Sequence, residues 1–452
     1  MTLKRSSQLP ATPPEVLAWF SRPGAIRRLL PPWLPVHVIQ EAGSLRDGVA
    51  ILGLPGGIRW HAEHQATGCI ENEKFVDQLK PRGLRGAITS ALQWKHEHFF
   101  EATGSGTTIV GDHVTSNLPA RQVERMLAYR HRQLAADFAA HQRASDAGLR
   151  PQRIAITGTS GLVGEALCAF LATGGHQVIK LVRRSPKSTS ERSWDPAAPA
   201  EDLLEGVDAV IHLAGASIFG RFGEAHRKAI EASRVGPTRA LARLAERTGV
   251  AVFISASGTG YYGSDTGPGP VSEDNLAPAA GSDFLADVVR RWEQAAQEGG
   301  TSMRRVQIRT GVVLSPRGGM LAVLRPVFAA GLGGRLGTGA QYLSWIGLDD
   351  LLDIYHRALW DSRLSGPLNA VAPNPVTNAE FTRALGKVLR RPAVIPVPAA
   401  APMVALGADG TRMLAMASQN VIPRKLQDAG HAFRRGRIEL ELAHNLGARL
   451  RR

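Results

Sequence analysis

Three glycines, at positions 158, 161 and 164, stand between an apolar run and an amphipathic run in the segment RIAITGTSGLVGEALCAFLATGGHQVIKLVRR. Glycines at this spacing allow a tight turn, a close approach of backbone to phosphate and close packing of a helix on a strand. The helix that follows would direct its free N–H groups and positive dipole end at a pyrophosphate. We therefore predict a dinucleotide-binding turn. Its expected contacts are Gly158, Thr159, Ser160, Gly161, Leu162, Val163 and Gly164.

The end of the next apolar run carries Arg183 and Arg184, where a domain specific for NAD would place an acidic residue on the ribose hydroxyls. A guanidinium can pair with a 2′-phosphate through two hydrogen bonds, which the unphosphorylated cofactor does not offer. The two arginines therefore favour NADP(H), while NAD(H) stays open as the cofactor. The alternative is that both are simply exposed side chains.

A further buried strand, in DAVIHLAGA, ends in small residues that would leave room for the adenosine side of the cofactor. Leu213, Ala214 and Gly215 are therefore added to the predicted cofactor contacts. His212, inside that strand, is expected to be a packed residue rather than a catalyst.

Strands and helices alternate downstream of residue 150. Strands are predicted at 153–157, 177–182, 208–213, 250–256 and 305–310, and helices from 162, near 225–246 and near 284–298. This alternation implies βαβ crossovers and a parallel sheet. We predict an α/β Rossmann-type doubly wound parallel sheet over residues 152–452, with a C-terminal substrate subdomain.

Upstream of residue 147, apolar and polar residues alternate in the way that is typical of antiparallel strands. Strands are predicted at 49–54, 59–68, 73–80, 92–101 and 107–115, with helices near 13–20 and 120–146. We predict an α+β domain over residues 1–146, in which a curved sheet grips its own C-terminal helix.

The composition narrows the class of protein. The 452 residues suggest more than one domain, and no apolar run reaches the roughly 18 residues that a membrane span requires. The net charge of +15 is spread along the chain without a nucleic-acid-binding pattern, so we expect no nucleic-acid partner. With no export signal and only Cys69 and Cys168, the sequence indicates a cytoplasmic protein without disulfides.

Several motifs together resemble the short-chain dehydrogenase/reductase superfamily in its extended, epimerase-like form: TGTSGLVG, VIHLAGA and FISASGTGYYG. More narrowly, WDP at 194–196, VLSPRGGML at 313–321, SWIGLDDLLDIY at 344–355 and PRKLQDAGHAF at 423–433 resemble the bacterial YfcH-like NAD(P)-dependent epimerases. Two-domain members of that family carry an N-terminal START-like or polyketide-cyclase-like (SRPBCC) module. Residues 1–146 resemble that module through SRPGAIRRLLPPW, FVDQLKPRG and LQWKHEHFF, which implies a START-like helix-grip fold.

The resemblance to the superfamily implies a catalytic serine, tyrosine and lysine, in which the lysine lowers the pKa of the tyrosine. Ser257 matches the serine. Where Tyr-x-x-x-Lys is expected, the sequence has Phe284 and Val288, so both of those catalytic side chains are missing. Tyr261 and Tyr262 lie close to Ser257 and are the candidate substitutes, although Tyr262 could equally be part of a structural turn.

Extended members of the superfamily receive their substrate near the C-terminal segments of the sheet. Here the resemblance indicates Arg309, Arg335, Gln341, Ser344 and Trp345 as substrate contacts. Arg335 lies in a glycine-rich run at 331–339, whose amides could hold a phosphate or form a plain loop. Glu273 and Asp274 are further candidates for substrate contact or acid–base work, and the alternative is that they cap the next helix.

A START-like module would enclose an apolar cavity, the usual form of a hydrophobic-ligand site. Some side chains of its strands must point inward, and they could line a cavity for an apolar ligand or fill the core. These side chains are Trp60, Trp94, His96, His98 and Phe99. No metal site is predicted, because His61, His64, His96 and His98 have no carboxylate or cysteine at helical or hairpin spacing.

Three functions are compatible with these observations. The first is an NADP(H)-dependent epimerase-like oxidoreductase acting on an unidentified carbonyl, hydroxyl or sugar-nucleotide-like substrate. The second is a non-catalytic NADPH-binding sensor or scaffold coupled to the N-terminal domain, which the missing tyrosine and lysine favour. The third is a polyketide cyclase or lipid carrier fused to a structural Rossmann domain. The sequence leaves the substrate and the formation of a homodimer open.

Overall fold

The computed structural model describes residues 1–82, 89–104 and 106–449. The chain divides into two compact units. The first comprises Met1–Asp146 and Ala166–His176, and the second comprises Ala147–Glu165 and Gln177–Arg452.

The first unit is built on an antiparallel sheet whose strands, where described, run in the order β1-β7-β6-β5-β4-β3-β2. The strands are β1 (Thr2–Leu9), β2 (His37–Gln40), β3 (Val49–Leu54), β4 (Ile58–His64), β5 (Lys74–Leu79), β6 (Trp94–Ala102) and β7 (Thr108–Ser116). Two helices, α1 (Pro13–Ser21) and α2 (Ala25–Leu29), connect β1 to β2, and the long α3 (Ala120–Asp146) follows β7.

The predicted strands β3 to β7 and the helices α1 and α3 are confirmed, whereas β1 and β2 were not predicted. Both missed strands lie at the edges of the sheet. Most of the residues of β1, TLKRSSQL, are exposed, as are three of the four in β2. Edge strands of this kind lack the alternation of apolar and polar residues on which the prediction depends.

The interior of the first unit is packed with aromatic side chains. The Phe20 ring lies 5.7 Å from that of Phe75 and 5.4 Å from that of Phe100, measured between ring centroids. Trp94 is half-buried against Trp60, at 5.7 Å. Phe99 points to the opposite face of the sheet, where it contacts Lys74. The inward side chains therefore contribute to the unit's own core.

The second unit is built on a parallel sheet whose described strands run in the order β10-β9-β8-β11-β12-β13-β17. They are β8 (Arg153–Thr157), β9 (Gln177–Val182), β10 (Glu191–Ser193), β11 (Ala209–His212), β12 (Val252–Gly258), β13 (Arg304–Thr310) and β17 (Gly366–Ala370). The helices between these strands are α4 (Leu162–Thr173), whose residues from Ala166 onward are counted with the first unit, α5 (Glu224–Ala232), α6 (Val235–Arg247) and α7 (Phe284–Gln297). This confirms a Rossmann-like parallel sheet, with buried strand centres such as Ile154–Ile156 and Ala209–Ile211.

Short strands and helices surround the end of this sheet. They are β14 (Val312–Leu314), α8 (Gly319–Ala329), β15 (Tyr342–Leu343), β16 (Trp345–Gly347), α9 (Leu348–Trp360), β18 (Val376–Thr377), α10 (Asn378–Leu389), α11 (Met403–Gly410), α12 (Arg424–Asp428) and α13 (Ile438–Asn445). Among the described residues, no helix combines the length and the apolar character needed to cross a lipid bilayer.

The helix predicted near 225–246 is interrupted between α5 and α6. The Arg234 guanidinium at the break donates to the carbonyl oxygens of Ile230 (3.0 Å) and Ala216 (2.9 Å). The Ser233 hydroxyl accepts from the Ala216 N–H at 2.9 Å. The side chains of Ser233 and Arg234, at the break between the two helices, therefore fix the loop that follows β11.

A buried charged cluster joins α9 to the C-terminal segment. Arg434 forms a bidentate ion pair with Asp353, and Arg435 pairs with Asp349 and Glu441. Asp350 accepts the backbone N–H of Arg434 at 2.5 Å. Burial, together with the nearby carboxylates of Glu441 and Asp353, raises the pKa of Asp350 to about 7 against the lowering effect of Arg435. Asp350 is therefore an acid that keeps its proton in the folded chain well above its ordinary pKa.

We expect this acid to make the free energy of unfolding fall as the pH rises from about 4 to about 7. In that window the folded chain holds the proton that the unfolded chain has released, so each rise in pH favours unfolding. Asp350→Asn mimics the protonated acid and removes this contribution. The stability of the variant relative to the native chain should therefore rise between pH 5 and pH 8 by a few kcal/mol, at about 1.4 kcal/mol per pKa unit.

The measurement is urea unfolding at both pH values. Asp428→Asn, at an exposed side chain, is the control and should show no such difference. A stability difference between Asp350→Asn and the native chain that is the same at both pH values would contradict the assignment.

Candidate nucleotide-binding and active site

The glycine turn connects β8 to α4. Gly158 has a φ of 69°, and a Cβ there would lie 2.8 Å from the backbone carbon of Leu213. A Cβ on Gly164 would lie 2.2 Å from the Gly158 carbonyl oxygen. At Gly161 the nearest atom would be 3.4 Å away, which is ordinary contact. Packing therefore requires glycine at positions 158 and 164. Packing does not require it at position 161, where the absence of a side chain leaves the backbone of the first helical turn exposed.

Thr157, which the sequence patterns did not single out, fastens this turn to the end of β11. Its hydroxyl accepts the N–H groups of Leu213 (3.0 Å) and Ala214 (3.1 Å), and it lies 2.8 Å from His212 Nδ1. Burial lowers the pKa of His212 to about 4, so the imidazole is neutral. His212 packs against Trp194 and Phe253, as expected for a packed residue. The predicted contacts at 158–164 and 213–215 are therefore brought together.

The two arginines after β9 differ in their surroundings. Arg184 donates to both carboxylate oxygens of Glu191, at 2.7 and 2.8 Å. Arg183 is exposed, and within the described ranges it has no ion pair. The Arg184 guanidinium is thus committed to Glu191, while Arg183 can meet an incoming anion.

Ser257, at the end of β12, belongs to a buried polar network. Its hydroxyl donates to Glu293 on α7 at 2.6 Å. The same carboxylate forms a bidentate pair with Arg309 at the end of β13, at 2.8 and 2.7 Å. Arg309 is 3% exposed, and this pairing raises its pKa against the effect of burial. Its guanidinium is therefore held within the fold.

Both tyrosines contact Arg309: Tyr262 is hydrogen-bonded within this network, and the ring of Tyr261 lies over it. The Tyr262 hydroxyl accepts from Arg309 at 2.9 Å and donates to Asn369 at 2.9 Å. Burial raises the pKa of Tyr262 to about 12. The Tyr261 ring stacks on the Arg309 guanidinium, 3.4 Å from ring centroid to Cζ, and is half-buried. Asn369 in turn donates its backbone N–H to Glu273 at 2.9 Å.

Phe284 and Val288, at the positions of the missing tyrosine and lysine, begin α7 as predicted. Val288 is buried, and Phe284 packs on the same apolar cluster, with Phe222 and Met413. Arg227 lies over the Phe284 ring at 5.0 Å. An apolar cluster thus occupies the two positions at which the resemblance led us to expect a tyrosine and a lysine.

The residues indicated for substrate contact are distributed between the core and the surface. Trp345 is fully buried, and its indole N–H donates to the Asn374 carbonyl oxygen at 3.0 Å. The buried Ser344 hydroxyl donates to the Gln419 carbonyl oxygen at 2.6 Å. Gln341 is half-buried, and Arg335 is exposed in the glycine-rich run. Ser344 and Trp345 therefore stabilise the fold. The side chains of Arg335 and Gln341 are exposed at least in part, so a ligand can reach them.

The parallel sheet and the glycine turn beneath its first helix define a Rossmann-type protein. Residues 154–367 match the NAD dependent epimerase/dehydratase family, and residues 397–444 match a domain of unknown function, DUF1731. An epimerase family protein of Mycobacterium bovis, Mb2239, is 42% identical over 289 residues, which cover 63% of this chain and 94% of the relative. The chain belongs to the NAD dependent epimerase/dehydratase family.

Two solved structures extend the comparison. A nucleoside-diphosphate sugar epimerase from Corynebacterium glutamicum is 40% identical, with a TM-score of 0.84, and the match covers 98% of this chain and 90% of that one. Human epimerase family protein SDR39U1, solved with NADPH, is 31% identical with a TM-score of 0.59, over 65% of this chain and 99% of that one. The likeness to the bacterial protein thus includes the first unit.

Proposed function

We propose that this protein binds NADP(H) at the glycine turn and is an epimerase-type oxidoreductase acting on a carbonyl or hydroxyl of a sugar-nucleotide-like substrate. The observation that carries the proposal is that Gly161, at the helix N-terminus, is exposed and not required by packing, whereas Gly158 and Gly164 are tightly packed beneath it. The human relative is described with NADPH, and the bacterial one is named a nucleoside-diphosphate sugar epimerase. When bound, the nicotinamide would exchange a hydride with the substrate carbon.

The preference for NADP(H) rests on Arg183. Its exposed guanidinium follows β9, where a 2′-phosphate is read in this fold. Arg184 supports the segment through Glu191 and so fixes the backbone beside Arg183. In this proposal Arg183 binds the phosphate, and Arg184 positions the segment that carries it.

We expect Arg183→Ala to weaken NADPH binding about tenfold to a hundredfold, since a charge-assisted hydrogen bond contributes about 1.5–3 kcal/mol. NADH binding should hardly change, because NADH carries no 2′-phosphate. Calorimetric titration with both cofactors measures the two affinities. Arg221→Ala, at another exposed arginine, is the control. An equal loss for both cofactors would contradict phosphate recognition by Arg183.

Tyr261 is the proton donor that we propose for the reaction. The Tyr262 hydroxyl is engaged on both sides, by Arg309 and Asn369, and Ser257 donates to Glu293. The Tyr261 side chain is partly exposed to solvent, and its ring stacks on the Arg309 guanidinium, which fixes its position. In this arrangement Ser257 and Tyr262 position the turn, and Tyr261 supplies the proton.

The test is oxidation of bound NADPH on addition of carbonyl and sugar-nucleotide substrates, followed by fluorescence. Substrate-dependent oxidation that is lost in Tyr261→Phe, with NADPH affinity unchanged, supports the proposal. Oxidation that survives in Tyr261→Phe would remove Tyr261 from this role.

A second candidate function is NADPH binding without turnover, and the apolar cluster at Phe284 and Val288 favours it. Tight NADPH binding with no oxidation across the substrate panel would favour this function over the first.

For residues 1–146 we propose a START-like helix-grip domain, followed by the nucleotide-binding domain over 152–452. The two helices between β1 and β2, the antiparallel strand order and the long α3 after β7 support this assignment. The aromatic filling described above favours a core with little free space for an apolar ligand. Extraction of the purified chain and mass spectrometry of the extract would identify any apolar molecule that it holds.

A further inference from the structure

Four titratable side chains meet on the inner face of the first unit's sheet. In the register of β5 with β6, Asp77 lies opposite His96. In the register of β6 with β7, His98 lies opposite Asp112. His96, His98 and Asp112 are each less than 5% exposed. Three neighbouring strands thus place two imidazoles and two carboxylates in one buried cluster.

The two imidazoles lie side by side between the two carboxylates, with ring centroids 3.9 Å apart. On one side, Asp112 Oδ1 lies 3.0 Å from His96 Nε2 and 2.8 Å from His98 Nδ1. On the other side, Asp77 Oδ2 lies 3.3 Å from His98 Nε2 and 3.7 Å from His96 Nδ1. Each ring therefore has one nitrogen facing Asp112 and the other facing Asp77.

This geometry corrects the reason for which no metal site was predicted. The prediction found no carboxylate at hairpin or helical spacing, but Asp112 lies opposite His98 across the β6–β7 hairpin and Asp77 lies opposite His96 on β5. The separations on the Asp77 side suit a metal site, because ligand atoms at about 2.0–2.1 Å from a tetrahedral ion are about 3.3 Å apart. The ligand atoms of Asp77, His96 and His98 all lie within 4.8 Å of one another.

We propose that Asp77 Oδ2, His96 Nδ1 and His98 Nε2 bind a divalent first-row transition-metal ion. Two imidazoles and one carboxylate are a ligand set that such ions prefer, and three protein ligands leave at least one position for water or another ligand. Asp112 is the outer carboxylate, whose Oδ1 is hydrogen-bonded to His96 Nε2 at 3.0 Å and lies 2.8 Å from His98 Nδ1. Carboxylates in that position fix the tautomer and orientation of metal-binding histidines.

The surroundings support Asp112 in this role. His131 Nε2 lies 3.0 Å from its second oxygen and Arg130 Nε lies 3.7 Å from it. The Phe75 ring stacks on His98, with centroids 4.1 Å apart, and shields it from water.

Only a deprotonated imidazole nitrogen is a metal ligand, so the ion would take the free lone pairs of His96 Nδ1 and His98 Nε2. Protons compete for the same lone pairs, and metal binding should therefore weaken at acidic pH.

The experiment uses the full chain without an affinity tag, stripped with a chelator, dialysed and titrated with Co²⁺. We expect one Co²⁺ per chain, with visible d–d absorption bands that Zn²⁺ abolishes by competition. Asp77→Asn and His98→Gln should each weaken binding by at least tenfold. His113→Gln is the matched control, because His113 is on the same strand as Asp112 but on the opposite face, and it should bind Co²⁺ as the native chain does.

Two further measurements keep the test independent of misfolded variants. Asp112→Asn should keep one site per chain and lose about tenfold to a hundredfold in affinity, as outer-shell changes do. Zn²⁺ should raise the unfolding temperature of the native chain, since an ion that binds only the folded state stabilises it. Absence of Co²⁺ bands and of any Zn²⁺ stabilisation, or native affinity in Asp77→Asn, would overturn the proposal and leave the cluster as a buried ion-paired network.

Discussion

Gly161→Asp is expected to abolish measurable NADPH binding while the chain folds normally. A Cβ at this position meets nothing closer than 3.4 Å, so the fold has room for the substitution. The new carboxylate would lie at the helix N-terminus, where a pyrophosphate is expected to bind. Like charges in contact cost several kcal/mol, which corresponds to a loss of about a hundredfold or more in affinity. Calorimetric titration and the unfolding temperature measure the two effects separately.

The control adds the same carboxylate elsewhere. Gly43→Asp, also at a glycine with open space around it, should bind NADPH with native affinity. By contrast, Gly164→Ala should destabilise the protein, because its Cβ would lie 2.2 Å from the Gly158 carbonyl oxygen. Unchanged NADPH affinity in Gly161→Asp would refute the assigned turn.

Glu293→Gln is expected to lower the free energy of unfolding by about 3–5 kcal/mol. The substitution keeps the shape of the side chain but leaves the Arg309 guanidinium buried without its counter-charge. Breaking a buried pair from one side has a cost of this size, whereas replacing both partners by apolar residues is often neutral. Urea unfolding of Glu293→Gln, and of the double variant Glu293→Leu with Arg309→Met, measures the effect.

The double variant should recover most of the lost stability. The control is an exposed pair between Arg291, which is on the same helix as Glu293, and Glu231 on α5. Glu231→Gln should cost less than about 1 kcal/mol. A loss below about 1 kcal/mol in Glu293→Gln would mean that Arg309 finds another partner. In that case Arg309 does not depend on Glu293, and it would again be a candidate for substrate contact, as the sequence indicated.

The sequence predicted the nucleotide-binding turn well because its signals are local. Glycine spacing, an apolar strand and an amphipathic helix occupy one continuous segment, and β8, α4 and β9 begin within a residue of the predicted positions. The strands with buried alternation were predicted for the same reason. The interruption at Ser233 and Arg234 was missed, although Gly236-Pro237 directly after it is a local helix-breaking signal. The hydrogen bond from Arg234 to Ala216, 18 residues away, could not be read from local patterns.

The residues that could not be predicted depend on partners distant in the sequence. Thr157 meets residues 212–214, and Glu293 joins Ser257 to Arg309, only because β8, β11, β12 and β13 lie side by side. Arg309 was indicated as a substrate contact from its place at the end of a strand. Its role as an ion-pair partner requires α7, whose packing the sequence does not reveal. Local patterns predict elements, whereas charge partners require the topology.

The pairing of Asp77 with His96 and of His98 with Asp112 also bears on how the chain reaches its folded state. Side chains in a strand alternate between the two faces of the sheet. A slip of one residue between β5 and β6 would therefore move the inward side chains of one strand to the outer face and bring its exposed polar side chains inward. Buried charges that lose their partners in this way are strongly unfavourable. The four side chains therefore penalise a one-residue shift in the alignment of the central strands, whether or not an ion is bound.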